Sequence, residues 1–148
     1  MKEKLQEAVE LFEEVIIFGT EHVVKNLDVP IWKEYSPEQI QVLKILSAFG
    51  ELTSSQLAEI QGVHKSAVST RLKKLVEKEL IELEKDPHDQ RAKRILLTTS
   101  GIEVLKQSNE AVYESIENIF KDRIDEHELE QFIETFRKLK TILLTKEM

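Results

Sequence analysis

No cysteine occurs among the 148 residues. That excludes disulfides, thiolate-held metals and cysteine-based redox sensing. Glycine appears four times and proline three times. The chain therefore has no glycine-rich loop to cradle a phosphate, and it has no G-x-S-x-G nucleophile elbow. No apolar run approaches the roughly 20 residues needed to span a bilayer. The opening MKEKLQEAVELFEEV is amphipathic and acidic, without the basic start, apolar middle and small-residue cleavage site of a signal peptide. The four histidines, at positions 22, 64, 88 and 127, show no H-x-x-x-H or similar ligand spacing, so no metal site is expected. Together these absences lead us to expect a cytoplasmic protein that is not an enzyme, with no cofactor and no membrane partner.

What is present is 41% hydrophobic and 33% charged residues, a composition that folds. The net charge of −7 argues at first against a polyanionic partner. Its distribution reverses that reading. Residues 1–61 carry five Lys/Arg against eleven Asp/Glu, and residues 99–148 carry seven against eleven. Residues 62–98 carry nine against six. A basic middle between acidic flanks gives a local surface for phosphate.

Apolar residues recur at helical spacing over residues 2–27, through Leu5, Val9, Phe12, Ile16, Val23 and Leu27, until Asp28-Val29-Pro30 ends the run. Ser36 with Gln39, and Thr53 with Gln56, read as capping boxes for two further helices. Gly62 marks a tight turn. After it, HKSAVSTRLKKLVEKE places Val68, Leu72, Leu75 and Val76 on one face. Leu80–Lys85 alternates as a strand, with Arg94–Leu97 as its partner. Thr98 and Ser100 offer caps for a long helix. A last helix runs from Glu126 to about Thr145, with Leu129, Phe132, Phe136, Leu139 and Leu143 in a heptad-like seam.

Two short helices around a glycine turn form a helix-turn-helix, whose second helix enters the major groove. The polar face of that helix carries Lys65, Ser66, Ser69, Thr70 and Lys73, with Arg71 at its flank. Ser and Thr exchange hydrogen bonds with base edges and phosphates, and Lys pairs with phosphate or guanine. The hairpin loop Asp86–Arg94 adds a second candidate contact, in which Arg91, Lys93 and Arg94 form a positive tip flanked by His88. A narrow minor groove attracts an inserted Arg. Asp89, two residues before Arg91, is expected to orient its guanidinium by a charge-assisted bond.

D-P-x-D-x-R at Asp86, Pro87, Asp89 and Arg91, and L-T-x-x-G at Leu97, Thr98 and Gly101, resemble the MarR family of bacterial transcription regulators. With the order of elements, the resemblance covers nearly the whole chain. It implies a mainly α fold of the α+β winged-helix type, with six helices, a two-stranded wing hairpin and terminal helices forming a dimerisation region. One MarR-type domain would span residues 1–148. The winged helix-turn-helix would occupy residues 37–98, and the dimerisation helices residues 1–28 and 99–148. The recognition helix would be His64–Lys78, and Arg91 the minor-groove residue. Two departures stand out: His64 replaces a small polar cap, and Glu79 stands where the family often has glycine. A non-glycine residue in a left-handed conformation there would cost about 1 kcal/mol.

The expected function is sequence-specific DNA binding by a homodimeric transcription regulator, a ligand-responsive repressor on a pseudo-palindromic operator. The expected partners are double-stranded DNA, a second copy of the chain and a small organic effector. Phe18, His22, Trp32 and Tyr35 are candidates for lining an effector pocket. Two alternatives stay open: a winged-helix protein-interaction module, and a non-specific architectural DNA binder.

Overall fold

Reciprocal caps start the two central helices. Ser36 Oγ accepts from the Gln39 N–H while Gln39 Oε1 accepts from the Ser36 N–H, both at 3.2 Å. Thr53 and Gln56 repeat the exchange at 3.2 and 2.9 Å. Each exchange satisfies two backbone donors that a helix start otherwise leaves open. They fix α3 (Pro37–Phe49) and α4 (Ser54–Gln61) where the sequence placed them. The structure, a computed structural model, describes residues 1–89 and 91–145.

The remaining elements are α1 (Lys2–Phe18), α2 (Ile31–Glu34), β1 (Leu52–Thr53), α5 (Lys65–Glu77), β2 (Ile81–Lys85), β3 (Lys93–Leu97), α6 (Thr99–Phe120) and α7 (Glu126–Thr145). The mainly α winged-helix class is as expected. Seven α-helices and three strands are present among the described residues, against six and two expected. The extra helix α2 has four residues and the extra strand β1 has two. Neither is long enough to produce a periodic signal. Between α1 and α2 the backbone passes through a π-helical turn at Gly19–Val23 and a 3-10 turn at Val24–Asn26. The helical run is therefore not one uniform α-helix up to Leu27.

The sheet order is β1-β3-β2, antiparallel throughout. Ile95 lies opposite both Leu52 and Leu83, and Ile81 lies opposite Leu97. Side chains alternate across a strand, so this register turns Leu52, Ile81 and Ile95 toward the helices, where all three are buried. They join Val42, Leu43, Leu57, Val68, Leu72 and Leu75 in one core. Fully burying such a side chain stabilises by about 1.5–3 kcal/mol. Leu80, Val104 and Leu105 extend the core to α6.

The chain forms two compact units that divide between Val112 and Tyr113. The first contains that core. The second comprises the end of α6 and α7, and buries no described residue by itself. Within it, Asp125 Oδ1 caps α7 by accepting from the Glu128 N–H at 2.8 Å, and the Phe132 and Phe136 rings stack with centroids 4.2 Å apart. In the first unit, α1 likewise buries none of its 17 residues. Among the described residues, no helix is long and apolar enough to cross a membrane.

Candidate nucleic-acid interface

The turn that aims α5 is closed by hydrogen bonds from its own backbone. Gly62 sits at φ 64°. Its N–H donates to the Glu59 carbonyl at 3.2 Å, and the Val63 N–H donates to the Ala58 carbonyl at 3.1 Å. This Schellman closure requires a left-handed residue, which glycine supplies without steric cost. At the far end of α5 the same pattern forms on a residue with a side chain. Glu79 adopts φ 61°, its N–H donates to the Val76 carbonyl at 2.9 Å, and the Leu80 N–H donates to the Leu75 carbonyl at 3.0 Å. The left-handed conformation is thus the one this non-glycine position adopts.

Within α5, Val68, Leu72 and Leu75 are buried, while Val76 is exposed. The opposite face presents Lys65, Ser66, Ser69, Thr70 and Lys73, all exposed. The Thr70 hydroxyl donates to the Ser66 carbonyl at 3.1 Å, so its lone pairs remain to accept. His64 occupies the N-cap position in an extended conformation with no side-chain cap. The first-turn N–H groups of α5 are thus uncapped by that side chain, at the positive end of the helix dipole. Arg71 is held differently. It is half-buried, and its Nη1 donates to Gln61 Oε1 at 3.0 Å, while Gln61 Nε2 donates to Gln41 Oε1 at 3.3 Å. It braces α5 against α4 rather than extending from the flank. No sequence spacing announces Gln61 or Gln41, because the contact crosses the turn.

In the wing loop, both aspartates spend an oxygen on backbone. Asp86 Oδ1 accepts from the His88 N–H at 2.8 Å, and Asp89 Oδ1 accepts from the Arg91 N–H at 3.0 Å. The expected bond from Asp89 to the Arg91 guanidinium is replaced by this one, and no ion pair joins the two side chains among the described residues. A two-residue offset places a carboxylate over the following N–H, the geometry of an Asx turn. Asp89 therefore sets the backbone from which Arg91 projects. The Asp86 N–H donates to the Ala92 carbonyl and the Ala92 N–H to the Asp89 carbonyl, each at 3.0 Å. His88, Asp89, Arg91 and Lys93 are all exposed.

Arg94 does not belong to the positive tip. It lies in β3 opposite Glu84, with Nη1 2.9 Å from Glu51 and Nη2 3.6 Å from Glu84. Its Nε is buried without a hydrogen-bond partner. The cross-strand register places the acid directly opposite, and opposite charges at such positions attract.

The four aromatic and imidazole pocket candidates fall into two pairs. Phe18 and His22 stack with centroids 5.6 Å apart, and both are exposed. Trp32 and Tyr35 are half-buried against the core. Trp32 Nε1 donates to Ser108 Oγ at 2.9 Å, and Lys78 Nζ lies 4.7 Å from the Tyr35 ring centroid. Burial raises the Tyr35 hydroxyl above its usual range, and the neighbouring Glu34 adds to the shift. An open groove of about 830 Å³ lies elsewhere, between Val76, Leu83 and Leu97 with Glu79, Glu82 and Glu84. None of the four candidates lines it. Among the described residues, no cluster of His, Asp and Glu is placed to hold a metal ion.

Residues 35–92 match a sequence model described as MarR family. The chain is 40% identical over 142 residues to YdgG of Bacillus subtilis (strain 168), described as an uncharacterized HTH-type transcriptional regulator, covering 95% of this chain and 93% of that one. A MarR family protein from Bacillus stearothermophilus superposes with a TM-score of 0.76 at 18% identity, over 98% of this chain and 99% of that one. The F27L mutant of MepR from S. aureus, bound to an oligodeoxyribonucleotide, superposes with a TM-score of 0.62 at 26% identity, over 88% and 97%.

Proposed function

Because the chain belongs to the MarR family of DNA-binding transcription regulators, we propose that it acts as a homodimeric repressor of a pseudo-palindromic operator, released by a small organic effector. The observation that carries this reading is the exposed Lys, Ser and Thr face of α5, backed by a buried apolar stripe and followed by a wing tip carrying Arg91 and Lys93. In each subunit Lys65, Ser66, Ser69, Thr70 and Lys73 meet the major groove, and Arg71 sets the angle of α5. Arg91 enters the flanking minor groove from the loop shaped by Asp89, with His88 and Lys93 beside the backbone.

A second copy of the chain accounts for the apolar surface left open in one copy. Val15, Ile16 and Phe18 of α1, and Leu129, Phe132 and Leu139 of α7, are each at least 46% exposed. Such surface is rare on a protein that stays monomeric. Two-fold symmetry then places half-sites about 10 base pairs apart. Phe18, His22, Trp32 and Tyr35 remain the candidate contacts for the effector. The MepR complex with an oligodeoxyribonucleotide supports a DNA partner for this fold.

Selection of bound genomic fragments at controlled salt tests the reading. A recurrent site with inverted half-sites is the expected result. Equal affinity for selected and random duplex, with a steep salt dependence, would instead show an architectural binder. Absence of duplex binding at low salt would show an interaction module.

A further inference from the structure

Among the described residues, Lys78, which ends α5, is the basic residue of this region whose contacts reach α2 and α3. Its Nζ donates to the Glu34 carbonyl at 2.9 Å and to Gln39 Oε1 at 3.4 Å, and it lies over the Tyr35 ring. Glu34 closes α2, and Gln39 is the buried partner in the Ser36 capping box. From α2 the path continues, since Trp32 donates to Ser108, a fully buried residue of α6. A polar strap therefore runs from α6 through Trp32 and the α2–α3 joint to the end of α5. An ammonium bonded to a carbonyl makes a charge-assisted link, and its position over an aromatic ring adds a second attraction.

We infer that Lys78 is a positioning residue for DNA recognition: it fixes the carboxyl end of α5 to the α2–α3 joint, and so sets operator affinity without touching DNA. This rests on the proposed reading of α5 as the recognition helix. The physical reason lies in the closure at Glu79. The non-glycine left-handed closure costs about 1 kcal/mol, and a contact from outside the helix offsets part of that cost. Lys78 supplies an external anchor one residue earlier, and it does so through the segment that also fastens to α6. Displacement of α2 against α6 is thereby transmitted to the pitch of α5.

The full-length chain carrying Lys78→Met, which keeps the apolar stem and removes the charge, is compared with Lys78→Arg and wild type. Two readouts apply: affinity for the genomically selected duplex across a salt series, and amide hydrogen exchange over residues 74–80 without DNA. We expect Lys78→Met to weaken binding about tenfold, with the slope of log affinity against log salt unchanged. Faster exchange in the last turn of α5 should accompany it, and Lys78→Arg should restore most of both. A slope reduced by about 0.9 would reveal a direct phosphate contact and overturn the proposal. Unchanged exchange would also overturn it. If wild type itself shows no preference for any duplex, the recognition reading fails, and the exchange result alone decides whether the strap exists.

Discussion

The Thr98 hydroxyl donates to the Glu79 carbonyl at 2.7 Å. The same oxygen accepts from the Gly101 N–H at 3.0 Å, and the Thr98 N–H donates to the Leu80 carbonyl at 3.1 Å. One threonine thus caps α6 and fastens it to the turn that ends α5. This gives the L-T-x-x-G pattern a physical meaning. Threonine is the joint, and glycine is the only residue that lets the two backbones approach.

Gly101→Ala tests that close approach. A Cβ at this position would stand 2.2 Å from the Leu80 carbonyl oxygen, a backbone atom that cannot swing aside. We expect a loss of about 3 kcal/mol or more, read from urea unfolding. A loss under 0.5 kcal/mol would show that α6 slides freely at its start.

Glu79→Gly should act in the opposite direction. Relief of the left-handed strain is worth about 1–2 kcal/mol, offset by the extra freedom glycine has in the unfolded chain. The net expectation is a gain of about 0.5–1 kcal/mol. The urea midpoint should rise with the m-value unchanged.

Arg91→Ala should weaken binding to the selected operator by about 1–3 kcal/mol with fold and assembly intact. Gel-shift titration with circular dichroism as a control measures both. Retained affinity would remove the wing from the recognition model.

Arg94→Gln should behave otherwise despite lying three residues away. The two ion pairs it breaks, with Glu51 and Glu84, are half-exposed, so unfolding stability should fall by only about 1 kcal/mol. The salt slope for DNA binding should stay within experimental error. A slope change matching that of Arg91→Ala would return Arg94 to the interface.

Truncation after Asp125 should convert the particle to a monomer in size-exclusion chromatography with light scattering. It removes Leu129, Phe132, Phe136 and Leu139 together, the seam spaced for a partner helix. A dimer as tight as that of the full chain would place the contact elsewhere.

These residues also mark where the sequence was legible. Capping is local, and both capping boxes and the glycine turn follow from residues three or fewer apart. The helix-turn-helix and the hairpin were readable for that reason. Contacts across longer separations leave no such trace. Arg94 looked like part of a basic tip until β-pairing placed it opposite Glu84, and Arg71 looked free until Gln61 folded beside it. Lys78 carries no local sequence signal for its contacts, because its partners lie 39 and 44 residues away. β1 is recognisable only through its pairing with β3. The Asp89–Arg91 spacing carries a hydrogen bond to the Arg91 backbone N–H, rather than the expected one to its guanidinium.

Trp32 is the only tryptophan of the chain, and its indole N–H sits in the strap through Ser108. The molecule thus carries its own optical reporter at the point where α2 meets α6. Its emission spectrum samples one hydrogen bond in one place, free of background from other indoles. A compound that loosens the joint is expected to change that signal without a label. A library can therefore be sorted by intrinsic fluorescence before the operator is known.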